Sequence, residues 1–83
     1  MAKKVAIYTT PTCTYCRMTK EFFKENNVQY EEYNVGIDAT RRQEMVDKSG
    51  QMGVPVIAVE TNDGEEQIIV GFDKVALANA LGV

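Results

Sequence analysis

Two short, unbroken apolar runs, Val5-Ala6-Ile7-Tyr8 and Val56-Ile57-Ala58-Val59, constrain this chain more than any other feature. Neither alternates with polar residues, so each reads as a strand buried on both sides. Buried strands need a layer above and a layer below, and the chain must supply helices for both faces of a sheet. It has 83 residues in which to do so, enough for one domain (residues 1–83) and no more. A core of that size is close to marginal and normally needs an idealised layout, a disulfide or a metal.

The segments between the runs supply the layers. Thr9-Thr10-Pro11-Thr12 breaks the first run, since a Thr–Pro pair is biased away from helix. A helix follows from Cys13 or Thr14 to about Asn26. Its apolar positions are Tyr15, Met18, Phe22 and Phe23, with Thr19 between them; Arg17, Lys20, Glu21, Lys24 and Glu25 fill the other face. Val28 to Val35 alternates imperfectly, with Val28, Tyr30, Tyr33 and Val35 apolar, and reads as a strand. Gly36-Ile37-Asp38 turns the chain, and Asp38 suits the N-cap of a helix over Ala39 to Ser49 that Gly50 stops. After the second run, Asn62-Asp63-Gly64 signals a hairpin back into Gln67-Ile68-Ile69-Val70. Gly71-Phe72 ends that strand. Asp73 caps a last helix, Lys74 to Leu81, with Leu77, Ala80 and Leu81 facing inward. The order is β-α-β-α-β-β-α, an α/β chain with a mixed four-stranded sheet flanked by helices and its first two strands parallel.

Composition removes several classes of function. With 9 basic and 12 acidic residues the net charge is −3, which argues against a nucleic-acid partner. Histidine is absent, so His-based acid–base catalysis and His-ligated metal sites are excluded. No stretch approaches the roughly 18 apolar residues of a membrane span. Lys3 and Lys4 have the charge of a signal peptide, but the apolar run after them, Val5 to Tyr8, is too short for its centre and polar Thr9-Thr10 follows at once. The expectation is a cytoplasmic monomer with no membrane or nucleic-acid partner.

Cys13 and Cys16 are the two cysteines. A bridge across so short a loop constrains the unfolded chain little, so the pair is a poor staple and a good reversible switch. Cys13 opens a helix, where unpaired N–H groups favour the thiolate, the attacking form in disulfide exchange. Arg17 and Lys20, one turn on, are candidates to add positive potential. Cys16 lies one helical turn behind, within reach of Cys13. The structural alternatives are half of a zinc site, for which two cysteines supply too few ligands, and a pair of inert buried thiols. Within a β-α-β pattern the spacing reads as a thioredoxin-like redox motif.

Thr10-Pro11-Thr12-Cys13-Thr14-Tyr15-Cys16 resembles the glutaredoxin active-site loop, where Cys-Pro-Tyr-Cys is usual. Gly53-Val54-Pro55-Val56 is similar to that family's Thr-Val-Pro segment, and Gly71-Phe72-Asp73-Lys74 to its Gly-Gly-x-Asp stretch. The resemblance covers essentially the whole chain. It implies a thioredoxin-like fold, disulfide reductase activity, and a cis peptide before Pro55. It further implies that Val54 offers backbone groups to a bound thiol partner, with Tyr15 either a contact surface beside Cys13 or a core aromatic. Thr10, Arg42, Gly71, Phe72 and Asp73 complete the implied substrate-binding set. Three departures, Thr14 for Pro, Thr10 for a Lys and Phe72 for the second Gly, resemble NrdH-type redoxins. On this resemblance no cofactor is resident, and the external reductant is glutathione or thioredoxin reductase with NADPH. Partners are disulfide-containing proteins, such a reductase and glutathione. Two other functions stand beside it: a glutathione-dependent [2Fe–2S] carrier working as a homodimer, and a redox-sensing module without turnover.

Overall fold

The computed structural model describes residues 2–61 and 63–82, with the side chains of residues 2 and 3 outside that description. The first apolar run lies in β1 (Ala2–Thr9) and the second in β3 (Val56–Thr61), and the two pair antiparallel at the centre of one sheet. β2 (Glu31–Asn34) pairs parallel to β1 on one edge, and β4 (Glu66–Val70) pairs antiparallel to β3 on the other. The strand order is β2-β1-β3-β4. Three helices complete the chain: α1 (Thr14–Glu25), α2 (Ala39–Ser49) and α3 (Lys74–Leu81). This is the thioredoxin-like α/β fold, with its mixed four-stranded sheet.

Alternation along the central strands divides the core in two. Val5, Ile7, Ile57, Val59 and Ile69 meet Phe22 and Phe23 of α1 and Leu77 and Leu81 of α3 on one face. Ala6, Tyr8, Val56 and Ala58 meet Met45 of α2, with Val35, on the other. Burial on both faces is why these strands carry no polar alternation.

Helix ends follow local chemistry. Asp38 Oδ1 accepts the Arg41 N–H and Asp73 Oδ1 the Ala76 N–H, each at 3.0 Å, satisfying first-turn donors. Gly50 ends α2 in the left-handed region, φ 74°, with its N–H on the Val46 carbonyl. The α1 exit is made by Asn26, whose side chain donates to the Phe22 carbonyl, and by Asn27 at φ 55°. The β3–β4 hairpin forms as its turn residues predict; Asn62 lies outside the described residues.

Two expectations are corrected. Tyr15 and Met18 do not belong to the buried stripe of α1: Tyr15 is 61% exposed, and the buried positions are Cys16, Thr19, Phe22 and Phe23. The inward face is rotated toward the second cysteine, because α1 packs against a sheet that already holds Ile7 and Ile57. The second strand is shorter than its alternation suggested. Val28 and Tyr30 precede β2 and pack against the α1–α3 core, with Tyr30 5.0 Å from Phe23 between ring centroids.

Candidate functional site

Register gathers the singled-out residues at one end of the sheet. Tyr8, near the C-terminal end of β1, lies opposite Val56 at the start of β3, and Val56 lies opposite Val70 at the end of β4. The loops Thr10–Cys13, Gly53–Pro55 and Gly71–Asp73 therefore emerge together. The Val54–Pro55 peptide is cis, as the resemblance implied. Gly71, at φ 78°, donates its N–H to the Pro55 carbonyl at 2.8 Å, so the two loops are joined by backbone alone. A positive φ is why glycine stands there.

The cysteine loop is short and internally bonded. The Cys13 N–H donates to the Thr10 carbonyl at 3.3 Å, which closes a turn around Pro11. Cys13 is the N-cap of α1 (φ −86°, ψ 111°), and its Sγ accepts the Cys16 N–H at 3.0 Å. That is the geometry of an Asp or Ser cap with sulfur in place of oxygen. Cys13 and Cys16 are paired as a disulfide, with Cα atoms 5.2 Å apart. The two sulfurs differ in access: Cys13 is half-buried, whereas Cys16 is 1% exposed and part of the α1 core face. The same N–H and the helix dipole favour negative charge on Sγ of residue 13 once the pair is reduced.

The remaining candidates separate by environment. Tyr15 is exposed beside Cys13, which removes the core-aromatic alternative. Pro55 is buried and Val54 half-buried. Phe72 packs edge-on against Phe22, ring centroids 6.4 Å apart, and so supports α1 from the third loop. Asp73 is exposed and caps α3. Arg42 is exposed, its backbone N–H bonded to the Asp38 carbonyl, and it enters no ion pair among the described residues. Lys20 does not stand open to the sulfurs; it is bound to Glu32 at 2.8 Å.

Three features were missed in the sequence. Glu32 and Thr9 meet behind the cysteine loop, Thr9 donating its hydroxyl to the Glu32 carboxylate at 3.0 Å. Lys20 and Thr9 together hold the Glu32 carboxyl below the usual range, the Lys20 bond chiefly, against the opposing effect of burial. Ile37 and Met52 are 86% and 71% exposed; Ile37 follows the end of β2 and Met52 precedes the start of β3, at the sheet end from which the cysteine loop leaves β1.

The opposite core holds a polar network away from the sulfurs. Tyr8 donates its hydroxyl to Glu44, whose carboxylate also takes Arg41 and lies near Lys48. Burial first, then this bond, pushes the Tyr8 phenol well above its ordinary range. Arg41 also stacks 4.0 Å over the Tyr33 ring. A recess of about 160 Å³ beside them is floored by Ala6 and Ala58. Among the described residues, no group of three or more His, Cys, Asp or Glu side chains gathers as a metal site. Among the same residues, no helix is long and apolar enough to cross a membrane.

Comparison with known proteins agrees with this layout. The family model described as Glutaredoxin matches residues 5–63. The chain is 46% identical over 70 residues to an uncharacterized glutaredoxin-like 8.6 kDa protein in the rubredoxin operon of Clostridium pasteurianum, covering 84% of this chain and 87% of that one. It is 33% identical over 78 residues to glutaredoxin 3 of Escherichia coli (strain K12), covering 94% and 88%. The crystal structure of the thioredoxin-like protein BC3987 superposes with a TM-score of 0.79 at 35% identity, covering 93% of this chain and 99% of that one.

Proposed function

Because the chain belongs to the glutaredoxin family, we propose that it reduces disulfides, on proteins or mixed with glutathione, by dithiol exchange through Cys13 and Cys16. The observation that carries this is the contrast within the pair. One sulfur caps a helix at the surface, and its twin lies just beneath, in the core.

Each residue then has a task. The Cys13 thiolate attacks one sulfur of a substrate disulfide; that S–S bond breaks, and the first substrate thiolate leaves. Cys16 loses its proton and attacks Cys13 Sγ. The mixed disulfide breaks, the second substrate thiolate leaves, and the Cys13–Cys16 bond forms. Two electrons have passed to the substrate. Tethering within one helical turn makes the second attack effectively unimolecular. The Cys16 N–H stabilises charge on Sγ of Cys13 while it is the attacking or leaving atom. Val54 presents backbone groups to an extended substrate segment, beside the buried ring of Pro55.

Protein disulfides suit the surroundings better than a small anionic thiol. Tyr15 in the first turn of α1, Met52 just before the Gly53–Pro55 loop and Val70 at the end of β4 are exposed apolar side chains, and Thr10 supplies no cation. We assign thioredoxin reductase with NADPH as the preferred electron donor and glutathione as the lesser one. The setting is the cytoplasm, where such a pair is kept turning over.

The test is a coupled assay of NADPH consumption with insulin disulfides as substrate. One arm contains thioredoxin reductase; the other contains glutathione and glutathione reductase. Turnover in the first arm above the protein-free rate is expected. Absence of turnover in both arms would refute the exchange function, whereas turnover in the glutathione arm alone would reverse the donor assignment.

A further inference from the structure

We infer that Glu32 is a positioning residue for the exchange reaction: by binding Lys20 it withholds a cation from the sulfur pair and so sets the acidity of the Cys13 thiol. This rests on the exchange function proposed above.

Helix geometry places the cation. Residues 13, 16 and 20 are separated by three and four positions, so they share one stripe of α1. Cys16 on that stripe is buried, so the stripe faces the sheet. Lys20 is the next residue along it and is half-buried. An ammonium placed there lies within about 10 Å of the sulfurs, one to two helical turns away.

Glu32 meets it from the sheet. Its pairing with Ile7 puts it on the face covered by α1. The Glu32 Oε2 atom takes Lys20 Nζ at 2.8 Å and the Thr9 hydroxyl at 3.0 Å. Thr9 is 2% exposed and precedes Thr10, whose carbonyl receives the Cys13 N–H. Glu32 is thus linked to the cysteine helix through Lys20 and to the cysteine loop through Thr9. Of the five ion pairs among the described residues, this is the one formed by α1. The remaining charges nearby, Arg17, Glu21 and Lys24 on α1 and Asp73 and Lys74 at the start of α3, are solvent-exposed; of these Lys24 also lowers the Glu32 carboxyl, after Lys20 and Thr9, and it is unchanged in every variant below.

The consequence is electrostatic. A lone ammonium at this range favours the thiolate; a lone carboxylate disfavours it; the pair is nearly neutral as seen from the sulfurs. At partly solvated sites one such charge changes a thiol's proton affinity by roughly threefold to tenfold. The reduced thiol then stays acidic enough to attack near neutral pH without losing nucleophilicity, which declines as acidity grows.

The test measures alkylation of Cys13 by iodoacetamide across pH in the reduced full-length protein, with Glu32→Gln, Lys20→Met, the double variant and Lys20→Arg. Glu32→Gln keeps the acceptor and removes the charge, so alkylation at pH 6 should rise roughly threefold. Lys20→Met should lower it by a similar factor, the double variant should return close to wild type, and Lys20→Arg should match wild type. Shifts of the same sign in both single variants, or no shift in variants that melt like wild type, would overturn the role of Glu32. If Glu32→Gln does not fold, Lys20→Met against Lys20→Arg decides by the same criterion. Wild-type alkylation as slow as free cysteine would instead overturn the exchange function itself.

Discussion

The three helix N-termini share one geometry and divide into two chemistries. In α2 and α3 the cap is aspartate, whose oxygen accepts an N–H three residues on at 3.0 Å. In α1 the cap is Cys13, whose sulfur accepts the equivalent N–H at the same distance. The backbone angles are those of an extended cap in all three. Thiol sulfur is a weaker acceptor than carboxylate oxygen, so α1 starts with a poorer cap. In return, the donors and partial positive charge that normally serve only stability are directed at the sulfur proposed as the nucleophile. On the mechanism proposed above, the same motif is structural at two positions and chemical at the third, according to which atom occupies the acceptor place.

Substitution can break this comparison outright. Cys13→Ser should abolish disulfide reduction, a loss of several orders of magnitude, while leaving the helix at least as well capped, because serine is a strong N-cap. The check pairs the coupled assay with thermal melting; retained turnover would remove Cys13 as the attacking sulfur. Cys16→Ser should leave the first attack intact and stop the second. Protein mixed disulfides should then accumulate on Cys13, seen as adducts by non-reducing electrophoresis and mass spectrometry.

The structural caps should respond in stability instead. Asp38→Ala removes the bond to the Arg41 N–H and should cost about 1 kcal/mol by urea unfolding. Cys13 alkylation should be untouched. A change in alkylation as large as that in stability would mean the caps are not separable in the way proposed.

A smaller effect sharpens the contrast between the two sheet faces. The Glu44 carboxyl is lowered below its ordinary value of 4.5, by the Tyr8 hydrogen bond first and by Arg41 and Lys48 after it, with burial opposing. A depressed carboxylate stabilises the fold above its unfolded value and ceases to do so as pH falls through its folded value. Wild type should therefore lose stability below about pH 4.5, and Glu44→Gln should flatten that acid limb in pH-dependent melting. The raised Tyr8 phenol acts at the other end. Its contribution is complete below the unfolded value of 10.0 and is lost as pH rises toward the folded value. Tyr8→Phe should remove that alkaline loss at a cost of about 1 kcal/mol for the hydrogen bond at neutral pH.

Much of the molecule was readable where the determinants are local. Both buried strands, the Asp38 and Asp73 caps, the Gly50 stop and the hairpin direction depend on a few adjacent residues, and each appears where that chemistry placed it. The rotation of α1 was misread because Tyr15 and Met18 have the right spacing for a core face. Spacing alone does not say which of two overlapping stripes meets the sheet. Glu32, Lys20 and Thr9 were invisible as a group, being 12 and 23 positions apart in their bonded pairs. Tyr8 and Glu44 are 36 apart and were equally hidden.

What the sequence determined by itself was the order of elements, the two-sided burial of β1 and β3, and a pair of cysteines at the opening of a helix. Each follows from periodicity or from groups within one turn of each other. What only the tertiary structure decided was which cysteine is reachable, which apolar side chains of α1 stay exposed, and which carboxylate faces the helix that carries it. Those depend on strand register and on the rotation of α1 against the sheet, and both are set by the summed packing of residues far apart in the chain.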